Sequence, residues 1–425
     1  MLLLSDELGQ SGAGAIRNAY NRQTVACSSI DGVPVGKLVA HYGSPLFVFS
    51  ERTILATARR AKRAFKSVYP DTQFAWSYKT NYLRAVCAVF HSEGWIAEVV
   101  SEFEYRKAKP AGTPIIYNGP CKSKAGINQA IDDGAVIQID HWDELALIEA
   151  LDRPAIVGVR LWTDTKYAPV WSKFGFALDN GEASRAIMRI VTNPKLGLHT
   201  LHTHIGTFVT EPKAYAIAAA RLLSLRQLLH RQTGCLVPCI NLGGGFPSGA
   251  RLHEQPEGAS VPSIEAYAKA IAGELNRLPR KLRPLLRLET GRHLIDDAGY
   301  LITSVAAVKA GSYIVDTGIH QLYTAPWFRI NVSPTRGGPC ESVKLFGSLC
   351  MNIDVIRDRV ELPSLEVGDA LVLHPVGAYN LTQSMQFIGL RPAVVMIGKQ
   401  GPEVIRRREE LSDLEGPEHD RRHHS

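Results

Sequence analysis

Residues 239–247 read CINLGGGFP, a short apolar run that ends in three consecutive glycines. A strand that runs into Gly243, Gly244 and Gly245 ends where backbone, with no side chain in the way, faces whatever lies beyond it. Seven similar runs surround it: 74–78 (FAWSY), 96–100 (IAEVV), 115–118 (IIYN), 136–140 (VIQID), 155–160 (AIVGVR), 198–204 (LHTLHTH) and 285–289 (LLRLE). Several are apolar almost throughout, as strands covered on both faces must be. Helical stretches lie between most of them. The clearest is 212–232, where Tyr215, Ala219, Leu222 and Leu229 recur at helical spacing before a stop at Gly234. Eight strand–helix units between about 70 and 290 predict an α/β fold, a (β/α)8 TIM barrel. A doubly wound open sheet is the competing architecture.

Beyond residue 300 strand-like runs follow one another without long helices: 301–308, 312–315, 328–332, 342–346, 370–373 and 393–397. Turn signals such as Gly337-Gly338-Pro339 and Val367-Gly368-Asp369 separate them, so an all-β domain follows the barrel. The expected division is an N-terminal segment over 1–44 packing with the β domain, the barrel over 45–300, the β domain over 301–400 and a mobile charged tail over 401–425. The run 47–49 either leads into the first helix or joins the β domain.

The composition suits a soluble protein with a sizeable core, at 45% hydrophobic and 21% charged residues. No apolar run reaches the roughly 18 to 20 residues that span a bilayer. The first residues lack the basic start of a secretory signal, and a cytoplasmic enzyme is the expectation. The formal charge of +7 is scattered, without a basic stripe interleaved with aromatics, so nucleic acid is not the expected partner. Seven cysteines at irregular spacings, with no CxxC pair, fit free thiols in a reducing compartment. His199, His202 and His204 resemble a metal cluster, but strand alternation puts only His202 and His204 firmly on one face. No supporting carboxylate or cysteine set accompanies them, so no metal site is expected.

Catalytic groups of a (β/α)8 barrel sit at the carboxyl ends of its strands. Lys79 follows the first strand, His204 ends the sixth, the three glycines follow the seventh, and Glu289 ends the eighth. Consecutive glycines let several N–H groups approach an anion, and the loops after strands seven and eight commonly form a phosphate site. Arg292 and the Thr207 hydroxyl complete such a site. A lysine partly desolvated among cations can act as a nucleophile. A lysine for a Schiff base, a phosphate cradle and an acid for a ring nitrogen together specify pyridoxal 5'-phosphate.

With these residues in place, the sequence resembles the fold-type III pyridoxal-phosphate decarboxylases, the group of diaminopimelate, ornithine and biosynthetic arginine decarboxylases. The resemblance runs from about residue 43 to 397. SYKTN matches the cofactor-lysine motif at Lys79, and EVVSEFEY brings Ser101 and Glu104 into register. YNGPCKS, QIDHWDEL and KFGF match the units that follow. HTHIGT, NLGGGFP and LETGR match the ring-stacking histidine, the phosphate loop and the acid for the pyridine nitrogen. VDTG, FGSLCMNIDVI and GAYN match the β-domain motifs. The resemblance implies that His204 stacks on the cofactor ring, that Glu289 meets the pyridine nitrogen, and that Thr207, Arg292 and Tyr379 serve the phosphate. It places Asp316 and Asp354 near a small amino-acid substrate and makes Cys350 the proton donor to Cα. It also implies a homodimer in which Cys350 reaches the partner's active site.

The departures point to the substrate. Met351 stands where relatives acting on diaminopimelate or ornithine carry an acidic residue for the distal amine. Glu98 replaces a common aspartate, Thr290 a proline and Thr207 a serine. The segment after Tyr379, NLTQSMQFI, is more similar to decarboxylases of siderophore and peptide-antibiotic pathways, so a modified or conjugated amino acid is a candidate substrate. Three rival readings remain open: an amino-acid racemase of the same architecture, against which Glu289 and the Cys350 motif speak, a non-catalytic cofactor-binding homologue, and a structural barrel with no cofactor.

Overall fold

The computed structural model describes residues 25–255 and 260–419. The chain divides into two units. One comprises Ile54–Gly249 and Glu257–Ile295; the other comprises Met1–Thr53, Ala250–Pro256 and Asp296–Ser425. The barrel boundaries therefore fall at Ile54 and Ile295, inside the expected 45 and 300. Among the described residues no helix is long and apolar enough to cross a membrane.

In the first unit eight parallel strands close on themselves: Thr72–Ser77, Ile96–Val99, Ile115–Tyr117, Val136–Ile139, Ala155–Trp162, Leu196–Thr203, Cys239–Asn241 and Leu285–Thr290. Pairing of Leu196–Thr203 with both Ala155–Trp162 and Cys239–Asn241 completes the ring, which excludes the open sheet. A short strand not expected from the sequence, Phe176–Ala177, adds to the edge of Ala155–Trp162. The helix Pro212–Thr233 shows how sequence sets an element here. Pro212 tolerates the first turn, where its missing N–H has no partner to lose. The Glu211 side chain accepts the Lys213 amide, and Gly234 ends the helix in the left-handed region at φ 74°. Tyr215, Ala218, Leu222 and Leu229 lie on its buried face.

The second unit is all-β apart from short helical turns and the helix Val35–Tyr42. Its sheet runs in the order Val355–Pro363, Cys340–Phe346, Ser312–Val315, Gly299–Lys309, Leu46–Ser50, Ala393–Gly398, Gly401–Arg406, with Ala370–His374 joining Gly299–Lys309 to Asn331–Pro334. Ile30, Val35 and Leu38 pack on Leu46, Val48, Ile302, Val372 and Val395, all at most 2% exposed. Burying each of these aliphatic side chains is worth about 1.5–3 kcal/mol. Residues 25–44 thus join the β core; residues 1–24 of the expected N-terminal segment lie outside the described residues.

One open alternative is settled, one expectation is corrected and one strand is added. The run 47–49 belongs to a β-unit strand, paired with Gly299–Lys309 and Ala393–Gly398. The expected mobile tail is structured at its start. Gly401–Arg406 pairs antiparallel with Ala393–Gly398, and Glu409 meets both Arg391, at 3.1 Å, and Arg406, at 2.6 Å. Residues 420–425 of that tail lie outside the described residues. The strand Val355–Pro363 escapes the sequence reading because Arg357, Asp358 and Arg359 break its apolar pattern. Arg357 is nevertheless buried, and burial pulls its guanidinium down to about 10.

Candidate active site

Lys79 occupies a one-turn helix, Tyr78–Thr80, directly after the first barrel strand. Its Nζ lies 3.2 and 3.1 Å from the two oxygens of Glu98, which stands on the neighbouring strand and is fully buried. Register explains the meeting, since Ser77 is the Cα partner of Glu98. Glu98 is itself fixed by the Ser77 hydroxyl and by Asn118 Nδ2 at 2.9 Å. Lys79 keeps 43% of its side chain exposed, so the amine is anchored yet open on one side.

Glu289 lies on the eighth strand and is 7% exposed. Asn241 Nδ2 donates to its Oε1 at 2.6 Å. His202 Nε2 sits 3.3 Å from its Oε2, without the alignment of a hydrogen bond. Burial pushes this carboxyl up, but His202, Lys79 and Asn241 outweigh it and hold the group below the usual carboxylate range. Glu289 is therefore an anion at neutral pH. Arg160, His202 and Asn241 occupy one level of the barrel by register. Arg160 pairs with Asp140 at 3.4 Å and lies over the Phe174 ring at 4.3 Å.

His204 follows the sixth strand, and its Nδ1 accepts the Gly244 amide at 3.0 Å. Burial, then the cations of Arg160 and Lys79, push this histidine well below its ordinary value. The neutral ring with Nδ1 as acceptor must carry its proton on Nε2. Trp171 contacts the ring at 5.3 Å between centroids.

The glycine turn differs from the expected cradle of free amides. Gly243 donates to Asn241 Oδ1 at 2.9 Å and Gly244 donates to His204. A Cβ on Gly244 would stand 2.1 Å from the Glu289 carbonyl, so backbone packing excludes any side chain there. The turn thus ties the histidine, the asparagine and the acid strand together, and Gly245 is the glycine left partly exposed. Thr207 is exposed on the loop beyond His204, and Arg292 opens the buried helix Arg292–Ile295.

The remaining expected residues belong to the β unit. Asp316 Oδ1 accepts the Thr303 hydroxyl at 2.6 Å and the Ser304 amide at 2.9 Å. Tyr379 is half-buried at φ 66°. Cys350 and Met351 are exposed, Met351 at 40%. Asp354, expected at the substrate, is held by the backbone of two loops. It is 1% exposed, its Oδ1 accepts the Ile319 amide at 2.8 Å and its Oδ2 the Leu349 amide at 2.7 Å. A Cβ on Gly347 would lie 2.2 Å from its carboxylate. Asp354 is the clasp that joins the VDTG turn to the loop bearing Cys350. Asp354→Ala should cost about 2–4 kcal/mol, because two amides lose a charged acceptor in a buried place. Urea unfolding would read that loss, and iodoacetamide should alkylate Cys350 at a changed rate in the folded variant.

Sequence reading missed Asn241, Asn118, Arg160 and Asp140. Asn241 ends a barrel strand, Asn118 and Asp140 directly follow one, Arg160 lies two residues before the end of another, and each is a buried polar residue that needs a partner. That position in otherwise apolar runs was the available signal.

A strand-end lysine held by a buried carboxylate, an ionised acid and a neutral histidine thus stand on one barrel, the kind of group set that serves a carbonyl cofactor. Comparison with known proteins makes the class particular. Residues 55–296 match the family of the pyridoxal-dependent decarboxylases through its pyridoxal binding domain, and the chain belongs to that family. It is 30% identical to the diaminopimelate decarboxylase of Methanocaldococcus jannaschii, over 91% of this chain and 93% of that one. It is 27% identical to the diaminopimelate decarboxylase of Bacillus subtilis, over 91% and 93%. The crystal structure of the M. jannaschii enzyme superposes with a TM-score of 0.84 at 28% identity, covering 94% and 98%. The protein is a pyridoxal-phosphate-dependent amino-acid decarboxylase with a TIM barrel.

Proposed function

We propose that Lys79 is the covalent attachment point of pyridoxal 5'-phosphate, that Cys350 donates the proton to Cα, and that the substrate lacks a free distal amine. The meeting of Lys79 Nζ with both oxygens of Glu98 carries this reading, because it fixes the amine at the barrel mouth beside the ionised Glu289. The residues fit the cofactor: an amine for its aldehyde, an anion for its ring nitrogen and a glycine turn too tight for side chains. When bound, the cofactor supplies an aldehyde that takes up the substrate amine and a ring that accepts the electrons left by CO2.

The protein's own groups do the rest. Glu98 holds the Lys79 amine and can take or return a proton at Nζ. Glu289 stays ionised and so keeps a proton on a ring nitrogen that faces it. His204, uncharged, offers a flat ring face that adds no positive charge where electrons accumulate. Thr207, Gly245, Arg292 and Tyr379 are assigned to the phosphate. The Cys350 thiol is accessible, as a proton donor to a substrate carbon must be. The protein is proposed to work as a cytoplasmic homodimer with shared active sites. Seven free thiols support a reducing compartment. Tyr323 and Trp327, exposed at 39% and 44%, with the neighbouring Met385 and Phe387, offer the β unit an apolar surface to cover.

The relatives are diaminopimelate decarboxylases, whereas Met351 in this chain cannot pair with an ammonium group. CO2 release should be measured across basic, acidic and conjugated amino acids. Diaminopimelate should be a poor substrate, and Met351→Glu should raise its kcat/KM by about two- to five-fold, the order of one exposed ion pair with favourable geometry. Efficient turnover of diaminopimelate by the unaltered enzyme would refute the assignment of Met351.

A further inference from the structure

Between the helices Arg84–Ser92 and Glu102–Ala108 lies a cavity of about 180 Å³ that the decarboxylase reading does not use. Its lining is mostly apolar, from Tyr78, Tyr82, Cys87, Ala88, Pro110 and Ala111. Arg84 and Lys107 bring two positive charges to it. Their neighbours in sequence are paired: Arg106 with Glu102, and Lys109 with Asp133 at 2.9 Å. Among the described residues neither Arg84 nor Lys107 makes such an ion pair. Lys107 rests instead over the rings of Tyr82, at 5.4 Å, and Phe103, at 5.8 Å. The nearby carboxylate of Glu104 is turned away, accepting the Val100 amide at 2.8 Å. Burial lowers the Lys107 ammonium, and the like charge of Arg84 lowers it further.

Two facing cations over an apolar floor match one kind of ligand. A bare inorganic anion would meet the charges but leave the floor in contact with water. A neutral aromatic would fill the floor but leave the cations without a partner. A cavity of about 150 Å³ already accommodates benzene, so this one has room for a ring of that size. The floor is also connected to the catalytic turn. His91 Nδ1 donates a hydrogen bond to the Trp95 carbonyl at 2.8 Å, so His91 Nε2 accepts from the Tyr78 hydroxyl at 2.9 Å. Tyr78 is bonded directly to Lys79 in the one-turn helix that presents the amine.

We propose that this cavity is an effector site for a small organic carboxylate with a flat apolar body, felt at Lys79 through Tyr78. The felt part rests on the assignment of Lys79; the binding part does not. Benzoate is the probe and benzamide the neutral control, titrated calorimetrically into the holoenzyme at fixed ionic strength, with turnover measured in parallel. Benzoate should bind saturably and benzamide at least about ten-fold more weakly, the size of a lost charge-assisted contact. Arg84→Gln with Lys107→Gln should remove the preference for the carboxylate. Ala88→Trp, at an exposed wall position, should block binding while keeping both charges. Saturating benzoate should change kcat in the unaltered enzyme and leave that of Ala88→Trp unchanged. Binding that survives both variants would place benzoate elsewhere and overturn the site. Binding at the cavity with no change in kcat would overturn the effector role while leaving the Lys79 assignment intact.

Discussion

Lys79→Ala is expected to lower decarboxylation by at least about ten-thousand-fold, with the folded protein retained. The loss combines a covalent nucleophile with a proton-transfer group, each worth orders of magnitude. Stability should fall, because the fully buried Glu98 is left without its cation. Glu98 would lose its cation but keep Ser77 and Asn118 as donors. Single-turnover CO2 release, with circular dichroism as the check on folding, measures the effect. Turnover within ten-fold of the unaltered enzyme would remove Lys79 from the chemistry.

Glu289→Gln is expected to cost about a hundred- to thousand-fold in kcat, the range for removing one preorganised electrostatic group. The substitution keeps size and the contact with Asn241, so the change isolates the charge. The folded Glu289 carboxyl lies below its unfolded value, which is near 4.3 for a glutamate. A depressed folded value means that ionisation adds stability above about pH 4.3. That contribution drains away as pH falls through the lower folded value. The stability difference between the unaltered protein and Glu289→Gln should therefore shrink below about pH 4. A difference that grows on acidification would mean that Glu289 is protonated in the folded protein.

The barrel was legible because parallel strands buried on both faces are continuous apolar runs, and eight of them recur with helices between. The placement of Lys79, His204, the glycines and Glu289 followed from strand ends alone. What the sequence hid were partners made by register. Glu98 reaches Lys79 because it is the Cα partner of Ser77 on the next strand. Asn241 reaches Glu289 across adjoining strands of the closed barrel. Neither pairing has a signature along the chain. Asp354 shows the opposite difficulty. A motif position gave it a place at the substrate, and the motif carried no sign of the burial and the two backbone amides that make it a loop clasp. In the β unit, alternation with charged residues concealed Val355–Pro363, and the charged composition after Gly401 masked a strand pairing with Ala393–Gly398.

The reach of one amine carries the whole account, and reductive trapping tests it. The holoenzyme should be treated with borohydride, digested and sequenced by mass spectrometry. The phosphopyridoxyl mass should sit on the peptide that contains SYKTN, at position 79, and disappear in Lys79→Ala. A label on any other lysine, or none on a protein that still releases CO2, would contradict the assignment.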